Sequence, residues 1–212
     1  MNCNELLEFK QALISKKKGQ IKTEYSVDRE YINSPEYQTK FEKIPVNKNV
    51  QRALHKQAGR LLEFVDGLEP EKQFQERLLA IDAKTGEFIV DNFDRDGSET
   101  RTGFSDDEYQ KIKENPNQII LIHNHSGNGR PSPQDFLTCL HNKVFMSVIV
   151  CHNGNVYAIS DVKPKFEKVY TELVATNKSL GRHDPEGHAL TEIYDQNKIS
   201  SDKRKFFKLK EL

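Results

Sequence analysis

One apolar run that ends in a polar triplet constrains the fold more than any other feature. Gln118-Ile119-Ile120-Leu121-Ile122 leads directly into His123-Asn124-His125. Such a run is typical of a strand buried on both faces, because a strand with one face in water would alternate apolar and polar residues. We therefore expect a buried strand with the polar triplet at its end.

Other segments predict the elements around this strand. Apolar runs on either side of a turn predict β-hairpins over 74–93, where Gly86 supplies a positive φ, and over 145–159. A helix is predicted from Ser105 to about residue 114, with Glu108 completing a capping box. Another helix is predicted from Pro133 to about residue 142, with Ser132 as its N-cap. Strands and helices in this order favour an α/β fold.

The 212-residue chain divides into three predicted segments. Residues 1–70 are charged and helical, with amphipathic stretches at Glu5–Ser15 and Asn49–Val65. Residues 71–165 hold the hairpins and the buried strand. Residues 166–212 are polar, and we expect them to be helical or partly disordered.

Charge and cysteine content exclude several classes of protein. The 32 basic and 32 acidic residues cancel, which makes nucleic acid an unlikely partner because phosphate binding needs clustered positive charge. The runs Lys16-Lys17-Lys18 and Lys203-Arg204-Lys205 are typical of solvated segments. Three cysteines without CxxC spacing, Cys3, Cys139 and Cys151, predict no disulfide framework.

We also expect a cytoplasmic protein that does not bind membranes. No stretch approaches the roughly 18 consecutive apolar residues that span a bilayer. The first residues lack the basic-then-apolar order of a signal peptide.

The residues after the buried strand predict a metal site. Side chains two apart on a strand project from the same face, so His123 and His125 could converge on one ion. Asp135, in the first turn of the following helix, could complete the site with a carboxylate. Two imidazoles and one carboxylate leave a fourth position open, which is the pattern of catalytic zinc.

A hydrolytic zinc site also needs a base to take the proton of its water, and zinc peptidases use a glutamate. Glu76 stands at the head of the first hairpin, and Glu71 and Glu87 are the alternatives. The remaining histidines lack partners at metal-ligand spacing and are expected on the surface or in the core: His55, His141, His152, His183 and His188.

His123-Asn124-His125, followed by Ser132 and Asp135 and preceded by a glutamate that begins a strand, resembles the JAMM (JAB/MPN) metalloprotease motif. The resemblance covers roughly residues 71–162. It is closest to bacterial and phage members: RadC proteins, the JAB domains of polymorphic toxin systems and C-terminal domains of phage head-morphogenesis proteins. It implies a JAB/MPN (cytidine-deaminase-like) mixed sheet flanked by helices, with extra helices at both termini.

The resemblance also implies roles for individual residues. His123, His125 and Asp135 would bind one zinc ion per chain, Glu76 would act as base, and Ser132 would hydrogen-bond the oxyanion. A zinc-bound water would hydrolyse a peptide or isopeptide bond of a peptide or protein substrate, for which a ubiquitin-like protein is one candidate. The protein would be cytoplasmic or phage-associated.

Two features depart from the family pattern. The loop over residues 126–131 is one residue shorter than usual, and Ser126 stands where many bacterial members have proline. No ligand is lost by either change.

Other readings stay open at this point. Ser132 and Asp135 also form an ordinary capping box. The chain could be a non-catalytic MPN-type interaction module in a phage or DNA-repair-related assembly. A metal-dependent nuclease is disfavoured by the zero net charge. The sequence does not specify the oligomeric state.

Overall fold

The computed structural model describes residues 26–95, 102–201 and 204–212. It shows an α/β protein with one mixed sheet of six strands in the order β2-β1-β3-β4-β5-β6. The predicted α/β class, with a mixed sheet flanked by helices, is confirmed. The strands are β1 (Leu78–Asp82), β2 (Phe88–Asp91), β3 (Ile119–His125), β4 (Met146–Cys151), β5 (Val156–Ser160) and β6 (Lys208–Glu211).

Helices cover the sheet, and local capping sets where several of them begin. Ser105 and Ser132 each cap a helix with a complete capping box, as predicted. The helices are α1 (Arg29–Ile32), α2 (Pro35–Glu42), α3 (Lys48–Asp66), α4 (Asp106–Lys113), α5 (Pro133–His141), α6 (Lys165–Ser179) and α7 (Pro185–Ile199), with a short 3-10 helix at Pro70–Lys72. The predicted helix at Glu5–Ser15 and the run Lys16-Lys17-Lys18 lie outside the described residues.

The strand β3 is the middle of the core. It pairs antiparallel with β1 and parallel with β4, which is the single parallel pairing in the sheet as described. Ile120 and Ile122 pack with helices α1 to α3 on one face. Ile119 and Leu121 pack with helices α4 to α7 on the other. The prediction that this run is buried on both faces is confirmed.

Both predicted hairpins are present, and a glycine with positive φ lies in each turn. Gly86 has φ +79° between β1 and β2, and Gly154 has φ +85° between β4 and β5. A Cβ atom on Gly86 would lie 2.7 Å from the Cβ of Ala53 on α3. Glycine at this turn therefore allows the first hairpin to pack closely against α3.

The C-terminal segment contributes more than the predicted helices. Strand β6 pairs antiparallel with β5 and forms one edge of the sheet. The Nζ of Lys40 donates to the carbonyl oxygens of Gly154, at 3.0 Å, and Leu212, at 2.9 Å. These bonds connect α2 to the end of the chain.

Among the described residues, none of the helices has both the length and the apolar composition that a membrane crossing requires.

Candidate metal centre

Two imidazoles converge at the carboxyl end of β3. His123 and His125 project from the same face of the strand, and their Nε2 atoms are 3.2 Å apart. Pairing fixes this end of the strand on both sides: Leu78 of β1 lies opposite His123, and Cys151 of β4 lies opposite His125. The backbone at both histidines is therefore held in place, and the two rings stay close together.

Asp135 reaches the same point from the first turn of α5. Its Oδ1 lies 3.0 Å from the Nε2 of His123, and its Oδ2 lies 3.5 Å from the Nε2 of His125. One ligand atom from each of the three residues lies within 4.8 Å of the others. The structure thus brings together all three predicted ligands, and they could hold a metal ion.

The spacing of these atoms fits a tetrahedral ion. Zinc binds imidazole nitrogen and carboxylate oxygen at about 2.0–2.1 Å, so two tetrahedral ligands lie about 3.3 Å apart. The two Nε2 atoms are 3.2 Å apart, and each lies 3.0–3.5 Å from a carboxylate oxygen of Asp135, Oδ1 for His123 and Oδ2 for His125. Two imidazoles and a carboxylate are also donors that zinc accepts. The residues present could therefore hold a metal ion, and their donor set is one that zinc accepts.

The clustered side chains perturb one another's pKa values. Burial raises the pKa of Asp135, but the charge of His123 and hydrogen bonds from both histidines outweigh it and hold that pKa well below its usual range. Burial lowers the pKa of His125, but the hydrogen bond and charge of Asp135, with the charge of Glu76, raise it above its ordinary value. Asp135 consequently stays ionised and gives the site the negative charge that a cation requires.

Neighbouring groups orient two of the three ligands. The Nδ1 of His125 faces the carbonyl oxygen of Gly129 at 3.3 Å, and a proton on Nδ1 leaves the lone pair of Nε2 directed at the site. Ser132 donates to Oδ2 of Asp135 from its hydroxyl, at 2.9 Å, and from its backbone N–H, at 2.6 Å. Ser132 and Asp135 therefore form the capping box of α5, and the same hydrogen bonds orient Asp135 at the site.

Glu76 is the glutamate that the structure places at the site. Its Oε1 lies 3.7 Å from the Nε2 of His125. Leu78 pairs with His123, so extending that register by two residues sets Glu76 opposite His125 on the same face. The two alternatives lie elsewhere: Glu71 is exposed in the 3-10 helix, and Glu87 is exposed just before β2.

A cleft of about 620 Å³ opens over these side chains. This volume lies within the range of ligand-binding pockets. Leu78 and Leu121 give it an apolar wall beside the histidines, while hydroxyl and amide groups supply polar positions further along. The other lining residues are Glu76, Thr102, His123, His125, Ser132, Gln134, Asp135, Thr138 and Ser147.

The other histidines occupy surface or core positions away from this cluster. His141 pairs with Glu167 at 3.2 Å on the surface, and His55 packs near the rings of Tyr37 and Phe41. His152 is fully buried, with its Nε2 3.0 Å from Nδ2 of Asn124. No sequence pattern indicated this contact, because Asn124 lies in β3 and His152 in the turn after β4, and the two meet only in the folded protein.

Comparison with known proteins adds no family to this description: no protein-family model, curated protein or solved structure matches the chain. Its function is therefore argued from the geometry of the site.

Proposed function

We propose that this chain is a zinc-dependent hydrolase of peptide or isopeptide bonds, of the kind represented by JAMM metalloproteases. The observation that carries the proposal is the meeting of His123, His125 and Asp135, whose ligand atoms lie within 4.8 Å of one another, with the Glu76 carboxylate beside them. Structural zinc sites use four protein ligands, whereas three ligands beside an acidic side chain are typical of zinc hydrolases. The cleft gives a substrate access to the open side.

Each residue of the site has a distinct task in this reaction. Zinc, when bound, lowers the pKa of a water molecule and polarises the substrate carbonyl. Glu76 accepts the proton of the attacking water and transfers it to the leaving amine. Ser132 holds Asp135 through two hydrogen bonds, and its hydroxyl would turn from Asp135 to donate to the developing oxyanion. Leu78 and Leu121 provide an apolar surface for the substrate chain.

Metal content is the first test. We expect about one zinc per purified chain by elemental analysis, consistent with three ligands and one open position. His123→Ala and Asp135→Ala should lose it. His141→Ala is the matched control, because His141 also pairs with a carboxylate but lies on the surface. A folded wild-type chain that neither contains nor takes up zinc would refute the proposal.

Hydrolysis is the second test. The zinc-loaded protein is incubated with a fluorescence-quenched peptide library and with branched peptides joined through a lysine side-chain amide, which separate peptidase from isopeptidase activity. Glu76→Gln should retain zinc and lose at least about 100-fold of the rate, as expected for a general base. Zinc binding without cleavage of either probe would instead favour a non-catalytic interaction module.

A further inference from the structure

The middle residue of His123-Asn124-His125 faces away from the metal ligands. Side chains alternate along a strand, so Asn124 projects from the opposite face of β3. It is completely buried, and its amide contacts the segment that carries Glu76. A buried amide needs hydrogen-bond partners, and the partners of Asn124 include the backbone of Gln75 and Arg77.

The amide of Asn124 binds the backbone on both sides of Glu76. Its Oδ1 accepts from the backbone N–H of Arg77 at 2.7 Å, and its Nδ2 donates to the carbonyl oxygen of Gln75 at 3.3 Å. The regular pairing of β1 with β3 extends only to Leu78 and His123. Beyond it, the backbone N–H of Asn124 donates to the carbonyl oxygen of Arg77 at 3.4 Å, and the side chain of Asn124 adds the bonds to Arg77 and Gln75 on either side of Glu76.

His152 fixes the orientation of this amide. Its Nε2 lies 3.0 Å from Nδ2 of Asn124, and it is itself fully buried. Because Oδ1 must face the N–H of Arg77, the amide presents an N–H to His152, which must accept at Nε2. The backbone N–H of His152 also donates to the carbonyl oxygen of His125 at 3.3 Å. The contact thus links the turn after β4, strand β3 and the segment before β1.

We propose that Asn124 and His152 are positioning residues, which hold the backbone around Glu76 so that its carboxylate stays at the cleft. This inference rests on the proposed function of Glu76 as the base. Neither residue is among those that line the cleft or form the ligand cluster. Their effect passes through the segment 75–77, and it is separable from the effect of the ligands.

The first experiment measures the contact without using activity. In Asn124→Ala, hydrogen exchange at the Arg77 amide should accelerate at least about 10-fold, because its acceptor is lost. Zinc affinity, measured by competition with a chromophoric chelator, should stay within about threefold of wild type, since the ligands are unchanged. A protected Arg77 amide would overturn the inference. A large loss of zinc would also do so, because Asn124 would then act on the histidines.

The second experiment is a double-mutant cycle on hydrolysis of the same two probes. Asn124→Ala should reduce the cleavage rate by about 10- to 100-fold. The same change in the Glu76→Gln background should cost less than about twofold, because both act through one carboxylate. Additive losses would refute the positioning role. Asn197→Ala is the matched control, since Asn197 also joins backbone groups, at Phe206 and Phe207, from a buried position.

A pair of variants at His152 tests the role if Asn124→Ala fails to fold. His152→Gln keeps an acceptor for Asn124, whereas His152→Leu has similar size and none. The glutamine variant should retain the cleavage rate and Arg77 protection that the leucine variant loses. Equal behaviour of the two variants would overturn the inference. A wild-type chain that binds zinc but cleaves neither probe refutes the hydrolase alone, because amide exchange and zinc affinity still report on Asn124.

Discussion

Asp135 serves the fold and the site with the same carboxylate. One oxygen accepts two hydrogen bonds from Ser132 at the start of α5, and the other faces His123. The sequence alone presents these roles as competitors for the same lone pairs. The structure accommodates both roles, because Oδ1 faces His123 while Oδ2 accepts from Ser132 and also lies 3.5 Å from the Nε2 of His125.

The raised pKa of His125 makes zinc affinity depend on pH. Below this pKa a proton occupies the imidazole, so zinc must displace it, whereas Asp135 stays ionised. We expect affinity to fall as pH drops from about 8 to about 6, by up to about tenfold per unit. Chelator competition across this range measures it, and proton release by calorimetry confirms the displaced proton. A constant affinity would contradict this assignment.

Two thiols near the site should be inert in the native protein. Burial raises the pKa of Cys139 and of Cys151 to about 12, so both remain protonated at neutral pH. We expect iodoacetamide to leave both unmodified in the folded chain and to modify both in urea, as read by peptide mapping. Rapid modification of either thiol in the folded chain would contradict its burial.

At the scale of elements, the local signals in the sequence predict structure well. The apolar run, the two glycine turns and the serine caps each act within a few residues, and the strand, hairpins and helices predicted from them are present. Strand β6 escapes prediction because Lys208-Leu209-Lys210-Glu211 is mostly charged and is held by pairing with β5. Its formation depends on a distant partner.

The site also combines residues with a local sequence signal and contacts between distant segments. His123 and His125 follow from the two-residue period, and Asp135 follows from the helix start. Glu76 is preferred over Glu71 and Glu87 from its place at the head of the first hairpin, and the β1–β3 register gives the physical reason that it lies at the site. The link from Asn124 to His152 joins three separate segments, so no local pattern contains it.

Two helices with the same kind of cap allow the roles of Ser132 to be separated. Ser105→Ala and Ser132→Ala each remove a capping serine, and each should cost about 1 kcal/mol in the free energy of unfolding, measured in urea. Only Ser132→Ala should also weaken zinc affinity, by about 10- to 100-fold, because Ser132 orients a ligand. Equal zinc affinities in the two variants would contradict that role.

At the scale of the whole molecule, the candidate site connects the sheet to the helices on one of its faces. His123 and His125 belong to the central strand, and Asp135 belongs to α5, which packs on that face. Zinc should therefore stabilise the entire fold. At about 100 times its dissociation constant, we expect a gain of about 2.7 kcal/mol in the free energy of unfolding.

Urea unfolding with zinc and with a chelator measures this gain. His141→Ala should show the same gain as wild type, and His123→Ala should show none. A gain that survives in His123→Ala would place the bound zinc elsewhere.

The pairing of β1 with β3 has a further consequence for folding kinetics. Arg77 and Asn124, which meet beside the site, are 47 positions apart in the chain. Such a contact has a high loop-closure cost, so we expect it to form after the rate-limiting step. The zinc ligands lie at this end of β3, so the ion would stabilise an arrangement completed late: it would slow unfolding while leaving the refolding rate nearly unchanged. Stopped-flow folding and unfolding rates, measured across denaturant concentrations with and without zinc, would show whether the ion acts only after the sheet has assembled.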